Sequence, residues 1–378
     1  MIRTLQIGDR WLPEREGGLA RYYYELIRHL PTERASATGL VLGSPTIAAA
    51  TDNQIRAFAQ AGEGMKTRML GLRREALPIL RSGQANLIAC HFALYGIPVL
   101  DRLGSLPTVM HFHGPWAGES SVEGAAGWNE RAKATIEGLV YGRAHRVIVL
   151  SDAFRQELIR RYRVPAERIR IIPGGVDLKR FHTAISRREA RGRLGWPTDR
   201  PILLTVRRLV RRMGLENLID AVDSLRAAHP DLLLMIGGTG EISGELRDRI
   251  TASHLKDHVR LLGRVPDGDL PLAYRAANAS VVPTQALEGF GLIVLESLAA
   301  GTPVLATPVG GLPEILRPFA PQTVFPTTST ESIAGVIGEI LAGQRPLPTE
   351  AECRAYAETF SWSSVASRVV DVYQEALR

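Results

Sequence analysis

Two glutamates, Glu288 and Glu296, stand with seven residues between them in the run Pro283-Thr284-Gln285-Ala286-Leu287-Glu288-Gly289-Phe290-Gly291-Leu292-Ile293-Val294-Leu295-Glu296. A short apolar strand ends near Val282 and a helical pattern begins near Gly291, so Glu288 falls in the connecting loop and Glu296 more than a turn into the helix. Gly289 and Gly291 permit close approach of the backbone to a ligand. The free N–H groups and positive dipole end of the new helix suit a diphosphate. One carboxylate can then accept hydrogen bonds from ribose hydroxyls while the other faces a sugar. Paired carboxylates also serve glycoside hydrolysis, where one acts as nucleophile, so Glu288 has a second chemical reading. The plain alternative is a surface glutamate followed by an ordinary helical one.

The elements that must position this pair follow from length and pattern. A chain of 378 residues is long for one domain and comfortable for two. Thr4–Gly8, Thr38–Leu42, Asn86–Cys90, Thr108–Phe112 and Arg146–Leu150 read as strands, with helical spacing over Leu19–Leu30 and Asn129–Tyr141. Ser151 can cap the helix that starts near Ala153. A second series runs through Ile202–Val206, Leu232–Ile236, Val259–Leu262, Ser280–Val282 and Val304–Ala306. Strand–helix alternation of this kind predicts α/β units with parallel sheets. The expected division is 1–180, 181–360 and a C-terminal helix in 361–378 that packs back on the first domain. The polar stretch Arg180–Arg200 reads as linker. Two doubly wound sheets imply nucleotide use before any motif is read. A dehydrogenase would place G-x-G-x-x-G after the first strand; here Gly8 leads instead to Gly17-Gly18.

Composition removes other classes. Cys90 and Cys353 lie far apart and outside any Cys/His cluster, which speaks for buried thiols in a reducing setting. No run reaches the ~18 apolar residues of a membrane span, and the opening residues read as a strand rather than a leader. A cytoplasmic protein is expected. Residues 1–180 carry 25 Lys and Arg against 17 Asp and Glu, whereas residues 181–378 carry 21 against 22. All of the net +7 thus belongs to the first half, which suggests an anionic partner there, with peripheral contact at the inner face of a membrane. Nucleic acid is not expected, since no helix-turn-helix or RNA-recognition pattern occurs and aromatics make up only 6%. Asp267-Gly268-Asp269 matches a D-x-D metal motif but precedes a helix, as a capping turn would. His91, His111 and His113 lack a carboxylate at ligand spacing, so no metal site is expected. Asn278-Ala279-Ser280 fits a glycosylation sequon yet leads into a predicted buried strand.

Glu288 and Glu296 resemble the Glu-x7-Glu motif of retaining GT-B glycosyltransferases of family four, the group one glycosyl transferases. Gly301-Thr302-Pro303-Val304 with Gly310-Gly311-Leu312-Pro313-Glu314, Ile172-Pro173-Gly174-Gly175-Val176-Asp177 with Phe181, Leu262-Gly263-Arg264-Val265, and His111-Phe112-His113-Gly114-Pro115-Trp116 are similar to further segments of that family. The resemblance implies a GT-B fold, two Rossmann-like domains facing across a cleft, and transfer of a sugar from a nucleoside diphosphate sugar to a glycan or lipid. No cofactor and no metal would take part. It gives Glu288 a contact with the donor sugar and Glu296 one with the ribose. Gly289, Phe290, Gly291 and Leu292 would offer amides to sugar and diphosphate. Gly17 and Gly18 would approach the diphosphate with Arg21 nearby, His113 would lie beside the sugar ring, and Gly238, Arg264 and Val265 would meet the nucleotide. The family's phosphate clamp of Arg and Lys falls on Val206-Arg207-Arg208-Leu209-Val210-Arg211-Arg212-Met213-Gly214. Arg208 matches the arginine, Met213 replaces the lysine and Arg207 replaces a usual glycine, so Arg212 or Arg211 is the expected second cation. Two further readings share this architecture: a sugar-nucleotide epimerase, and a non-catalytic nucleotide-sugar binder, which Met213 alone favours.

Overall fold

Seven strands, β1 (Ile2–Arg10), β2 (Ala35–Leu42), β3 (Ile55–Ala59), β4 (Leu87–Cys90), β5 (Thr108–Phe112), β6 (Arg146–Val149) and β7 (Ile169–Ile171), join in the order β3-β2-β1-β4-β5-β6-β7 with every pairing parallel. A parallel sheet is covered on both faces, so its strands are apolar runs rather than alternating ones. Leu87–Cys90 is the plainest example, buried at all four positions. Five further strands, β8 (Ile202–Val206), β9 (Leu233–Gly237), β10 (Val259–Gly263), β11 (Ala279–Val282) and β12 (Val304–Ala306), form a second parallel sheet in the order β10-β9-β8-β11-β12. This computed structural model describes residues 1–15, 17–116, 118 and 128–378. The chain divides into one unit of Met1–Gly175 with Trp362–Arg378 and another of Val176–Ser361.

In the first unit the helix Gly18–His29 follows β1 and buries Tyr22, Tyr23 and Leu26. Its C-terminal companion, the helix Trp362–Ala376, turns Val365, Val369, Val370 and Tyr373 inward and packs on Gly18–His29, β5 and β6. Polar ties hold it: Arg34 pairs with Asp371 (2.5 Å), and Arg146 and Arg170 both reach Glu375 (3.1 and 2.7 Å). Within this unit the Trp362 ring covers Gly175 so closely that a Cβ there would stand 2.7 Å from it. Ser151 caps Asp152–Tyr162 by accepting from Phe154 N–H.

In the second unit Leu218, Ile219 and Val222 of the helix Leu215–Leu225 pack with Leu234, Ile236, Val281 and Leu305 of the sheet. Here one expectation is corrected. The polar stretch after Arg180 is no linker: it contains the helix Arg187–Leu194, docked on the second unit. The reason is a buried guanidinium. Arg191 is 4% exposed and donates to the carbonyls of Ala276, Thr198 and Arg200 and to Asn278 Oδ1. Charge-assisted bonds to carbonyls thus hold a segment that has almost no apolar surface. The same Asn278 oxygen accepts from Ile202 N–H, so the side chain of the sequon is already engaged. Among the described residues no helix is long and apolar enough to cross a membrane.

Candidate functional site

In the second unit the strand order reverses between β8 and β11. Ligands of open parallel sheets bind beyond the carboxyl ends of the strands at such a point. The loops leaving those two strands carry Arg207, Arg208 and Arg212 on one side and Pro283 to Gly291 on the other. Glycines let them touch. A Cβ on Gly214 would stand 2.0 Å from the Pro283 carbonyl oxygen, one on Gly310 1.8 Å from that of Glu288, and one on Gly238 1.7 Å from that of Arg207. All three have positive φ, so a side chain is excluded twice over.

The contact at the centre was not anticipated. Arg207 Nη2 donates to Glu288 Oε2, and its Nη1 donates to Thr284 Oγ1 at 2.5 Å. Both side chains are largely withdrawn from water, 5% exposed for Arg207 and 15% for Glu288. Arg208, by contrast, is exposed, and its side chain has no hydrogen-bond or ion-pair partner among the described residues. Arg212 is buried and its Nη1 donates to the Leu287 carbonyl (3.0 Å), steadying a residue whose φ is +57. Arg211 lies in the open, paired with Glu245 (2.6 Å) and Glu216 (3.5 Å). Met213 is 6% exposed and belongs to the apolar core with Leu209, Val210 and Leu215. The position that carries a lysine in the motif is here part of the packing.

Gly289, Phe290 and Gly291 are buried, and Gly291 in a left-handed conformation opens the helix Leu292–Ala299. No side chain caps that helix, so its first amides stay available. Glu296 is buried within it and accepts from the Tyr274 hydroxyl at 3.2 Å. Val265 beyond β10 lies against Gly237, where a Cβ would stand 2.6 Å from it, and Arg264 beside it is exposed. Asp267-Gly268-Asp269 forms a turn into the helix Leu270–Ala276 with Asp269 at its N-cap. The Asp269 side chain accepts no capping bond, and Asp267 pairs with Arg180 at 2.7 Å.

The first unit has its own order reversal, between β1 and β4. Gly17 and Gly18, both exposed, open the helix after β1, and a Cβ on either would meet nothing within 4 Å. His91 follows β4, His111 lies within β5 and His113 just beyond it. Their imidazoles stack: the ring centres of His91 and His111 are 4.1 Å apart with the planes nearly parallel, and His113 is 5.7 Å from His91. Gln6 Oε1 faces His91 Nε2 at 2.9 Å, and Tyr373 faces His111 Nε2 at 3.1 Å. Burial pushes His91 and His111 well below the ordinary imidazole value and His113 down to about 3. All three are therefore neutral at pH 7. Among the described residues no group of three His, Cys, Asp or Glu is placed to hold a metal ion.

Comparison with known proteins completes this picture. Residues 186–360 match the family model described as Glycosyl transferases group 1, and residues 16–180 that of Glycosyltransferase Family 4. A D-inositol 3-phosphate glycosyltransferase of Streptomyces scabiei is 30% identical over 321 residues, which cover 79% of this chain and 69% of the relative. The chain belongs to the group 1 glycosyl transferases. Its two sheets and their helices have the GT-B fold, as in Anabaena HepE in complex with UDP and glucose (TM-score 0.78, 18% identity, 99% of this chain and 100% of that one). A D-inositol 3-phosphate glycosyltransferase of Saccharomonospora viridis is 31% identical over 257 residues; that match takes in 65% of this chain and 59% of the relative's length. In this group 1 glycosyl transferase the residue after β8 is Arg207, where the resemblance sets a glycine. Sequence reasoning noted Arg207 only as a departure and missed its partner Thr284. The signal was available: a basic residue at the end of one strand beside the switch point, and a hydroxyl and a carboxylate just past the other.

Proposed function

We propose that this protein moves a sugar from a nucleoside diphosphate sugar to a hydroxyl of a lipid or glycan acceptor, with retention at the anomeric carbon and without a metal ion in the chemistry. The observation that carries the reading is the Glu288 carboxylate in the loop that leads into the uncapped helix Leu292–Ala299, at the switch point of a nucleotide-binding type of sheet. Both contacts of Glu288 fall on Oε2, which leaves Oε1 to accept from a sugar hydroxyl. The amides of Gly289 to Leu292 and the unpartnered Arg208 would take the charge of the departing diphosphate. Removing one such donor usually costs ~2.7–4 kcal/mol of transition-state stabilisation. Glu296 would accept from the ribose, and Gly238, Arg264 and Val265 would border the base. The first unit would add the Gly17-Gly18 amides and the neutral His113, which can hydrogen-bond to a sugar without bringing charge. The bond to the diphosphate breaks as an oxocarbenium-like centre forms, and the acceptor oxygen enters on the same face, its proton passing to the leaving group.

An acceptor bearing phosphate, or held at an anionic membrane, is supported by the excess of cations in residues 1–180 and by the inositol 3-phosphate in the names of the relatives. The test is a release assay with UDP-, GDP- and ADP-glucose in EDTA, with and without D-inositol 3-phosphate, anionic lipid and oligosaccharide acceptors. Uridine donors come first, since HepE binds UDP. The expected result is acceptor-dependent release of one nucleoside diphosphate, with an axial donor linkage kept axial by proton NMR. Epimerisation of the donor without acceptor would move the assignment to an epimerase, and binding without any turnover to a sensor.

A further inference from the structure

Arg207 is locked before its side chain is considered. Its N–H donates to the Gly237 carbonyl (2.9 Å), continuing the β8–β9 pairing by one step, and its own carbonyl presses on Gly238, where no Cβ fits. From this fixed root the guanidinium spans the switch point. It donates from one nitrogen to Thr284 and from another to Glu288. Thr284 is itself fully buried, and its carbonyl accepts from the Thr307 hydroxyl at 2.6 Å. The Glu288 main chain is pinned in turn, since its carbonyl accepts from Gly311 N–H at 3.1 Å. Three strands' ends thus fix one carboxylate. Its Oε2 takes Arg207 and lies 3.5 Å from the Thr284 hydroxyl, while Oε1 has no partner among the described residues.

We infer that Arg207 is a positioning residue for Glu288: it occupies one carboxylate oxygen, turns the other toward the donor sugar, and cancels the charge that would otherwise repel the diphosphate. This rests on the reading of Glu288 as a donor-sugar ligand. A planar, two-pronged guanidinium suits the task because it can hold a carboxylate and a hydroxyl in one plane, which an ammonium cannot. The same contact bars Glu288 from nucleophilic attack through Oε2. It also explains how the site does without the usual lysine. Arg207 spends its charge on Glu288, so the diphosphate meets a neutral pair in place of a bare carboxylate.

The experiment is a double-mutant cycle on the full chain with R207M, E288Q and R207M/E288Q, reading kcat/KM for the donor and the Kd of UDP, GDP and ADP by calorimetry. R207M keeps the length of the buried stem, thermal unfolding checks each fold, and R207K serves if R207M does not fold. Acting through Glu288, Arg207 gives a cycle in which each single variant loses at least tenfold in kcat/KM and the double loses no more than the worse single. The Kd of the nucleoside diphosphate is then the same in E288Q and in R207M/E288Q. Losses that multiply in the double variant, together with weaker nucleotide binding than in E288Q, would overturn the inference and make Arg207 a direct phosphate ligand. An unaltered protein that binds none of the nucleotides and turns over no donor removes the transferase reading and this inference with it, which separates the two failures.

Discussion

The hydroxyl of Tyr373 sits 3.1 Å from Nε2 of His111 and accepts from the Gln6 amide, so the last helix of the chain is hydrogen-bonded into the centre of the first sheet. Because Gln6 donates to it, Tyr373 is free to donate to the histidine, which places the His111 proton on Nδ1, toward Tyr22 at 3.5 Å. Tyr373→Phe keeps the ring and deletes that donor, leaving a buried imidazole nitrogen and a buried amide short of partners. The expected loss is about 1–3 kcal/mol of unfolding free energy, read from urea denaturation. A variant as stable as the parent would mean that the hydroxyl contributes nothing.

The same histidines make acid stability predictable. In the unfolded chain each imidazole titrates near its ordinary value, whereas burial holds His91 and His111 well below it and His113 at about 3. Between those limits the unfolded state binds more protons than the folded one. Stability contributed by the stack is therefore fully present above about pH 6.5 and is lost as pH falls toward 3. Each histidine adds a slope approaching about 1.4 kcal/mol per pH unit inside that window. Urea midpoints at pH 8, 6.5 and 5 should stay level across the first interval and fall across the second. A midpoint that does not move between pH 6.5 and 5 contradicts the neutral stack.

How much of this was legible beforehand varied with the kind of interaction. Strands such as Thr108–Phe112 and Ile202–Val206 are apolar runs between polar turns, and the structure has them with the same bounds. Edge strands were harder. β3 and β7 carry an arginine each and pair on one side only, so neither stands out as a run. The docked Arg187–Leu194 helix was read as linker because its anchor, Arg191, is polar by type and buried by context. Long-range partners such as Arg207 with Glu288, or His111 with Tyr373, depend on strand order, which spacing along the chain does not encode. The glutamates could be singled out; what holds them could not.

Gly18 offers a clean test of ligand approach in the first unit. Its φ is not positive and a Cβ would meet nothing within 4 Å, so the fold itself does not need a glycine there. As the first residue of an exposed helix end, alanine should leave unfolding free energy within about 0.5 kcal/mol of the parent or raise it slightly. If a diphosphate lies against this turn as proposed, Gly18→Ala still weakens donor binding by an order of magnitude. Unchanged stability with unchanged KM would take Gly18 out of the site.

Arg211 and Arg212 are adjacent and should behave in opposite ways. Arg211 is 65% exposed in its side chain, and its pairs with Glu216 and Glu245 are of the surface kind that contributes little. Arg212 is buried and holds the Leu287 carbonyl next to Glu288. Arg211→Ala should therefore change neither melting temperature nor donor KM appreciably. Arg212→Ala should lower both stability and kcat/KM, because the loop that presents Glu288 loses a charge-assisted bond of about 1.5–3 kcal/mol. Thermal scans beside donor kinetics decide it; a donor KM raised by Arg211→Ala alone would make the exposed arginine the second phosphate cation.

The proposed membrane contact has a specific surface to test. On the helix Met65–Arg81, the inward face is Gly71, Leu72, Ala76, Ile79 and Leu80, while Lys66, Leu70 and Arg74 follow at intervals of four along the outer face. Leu70 is 60% exposed and Met65 48%, so the stripe offers apolar groups between cations. Such a face gains from both insertion and attraction to anionic headgroups, the latter worth about 1 kcal/mol per cation and screened by salt. Lys66→Ala with Arg74→Ala should weaken binding to phosphatidylserine vesicles roughly 30-fold at low salt, and Leu70→Ser should weaken it at every salt concentration. Flotation in which the unaltered protein favours anionic vesicles no more than neutral ones removes the contact altogether.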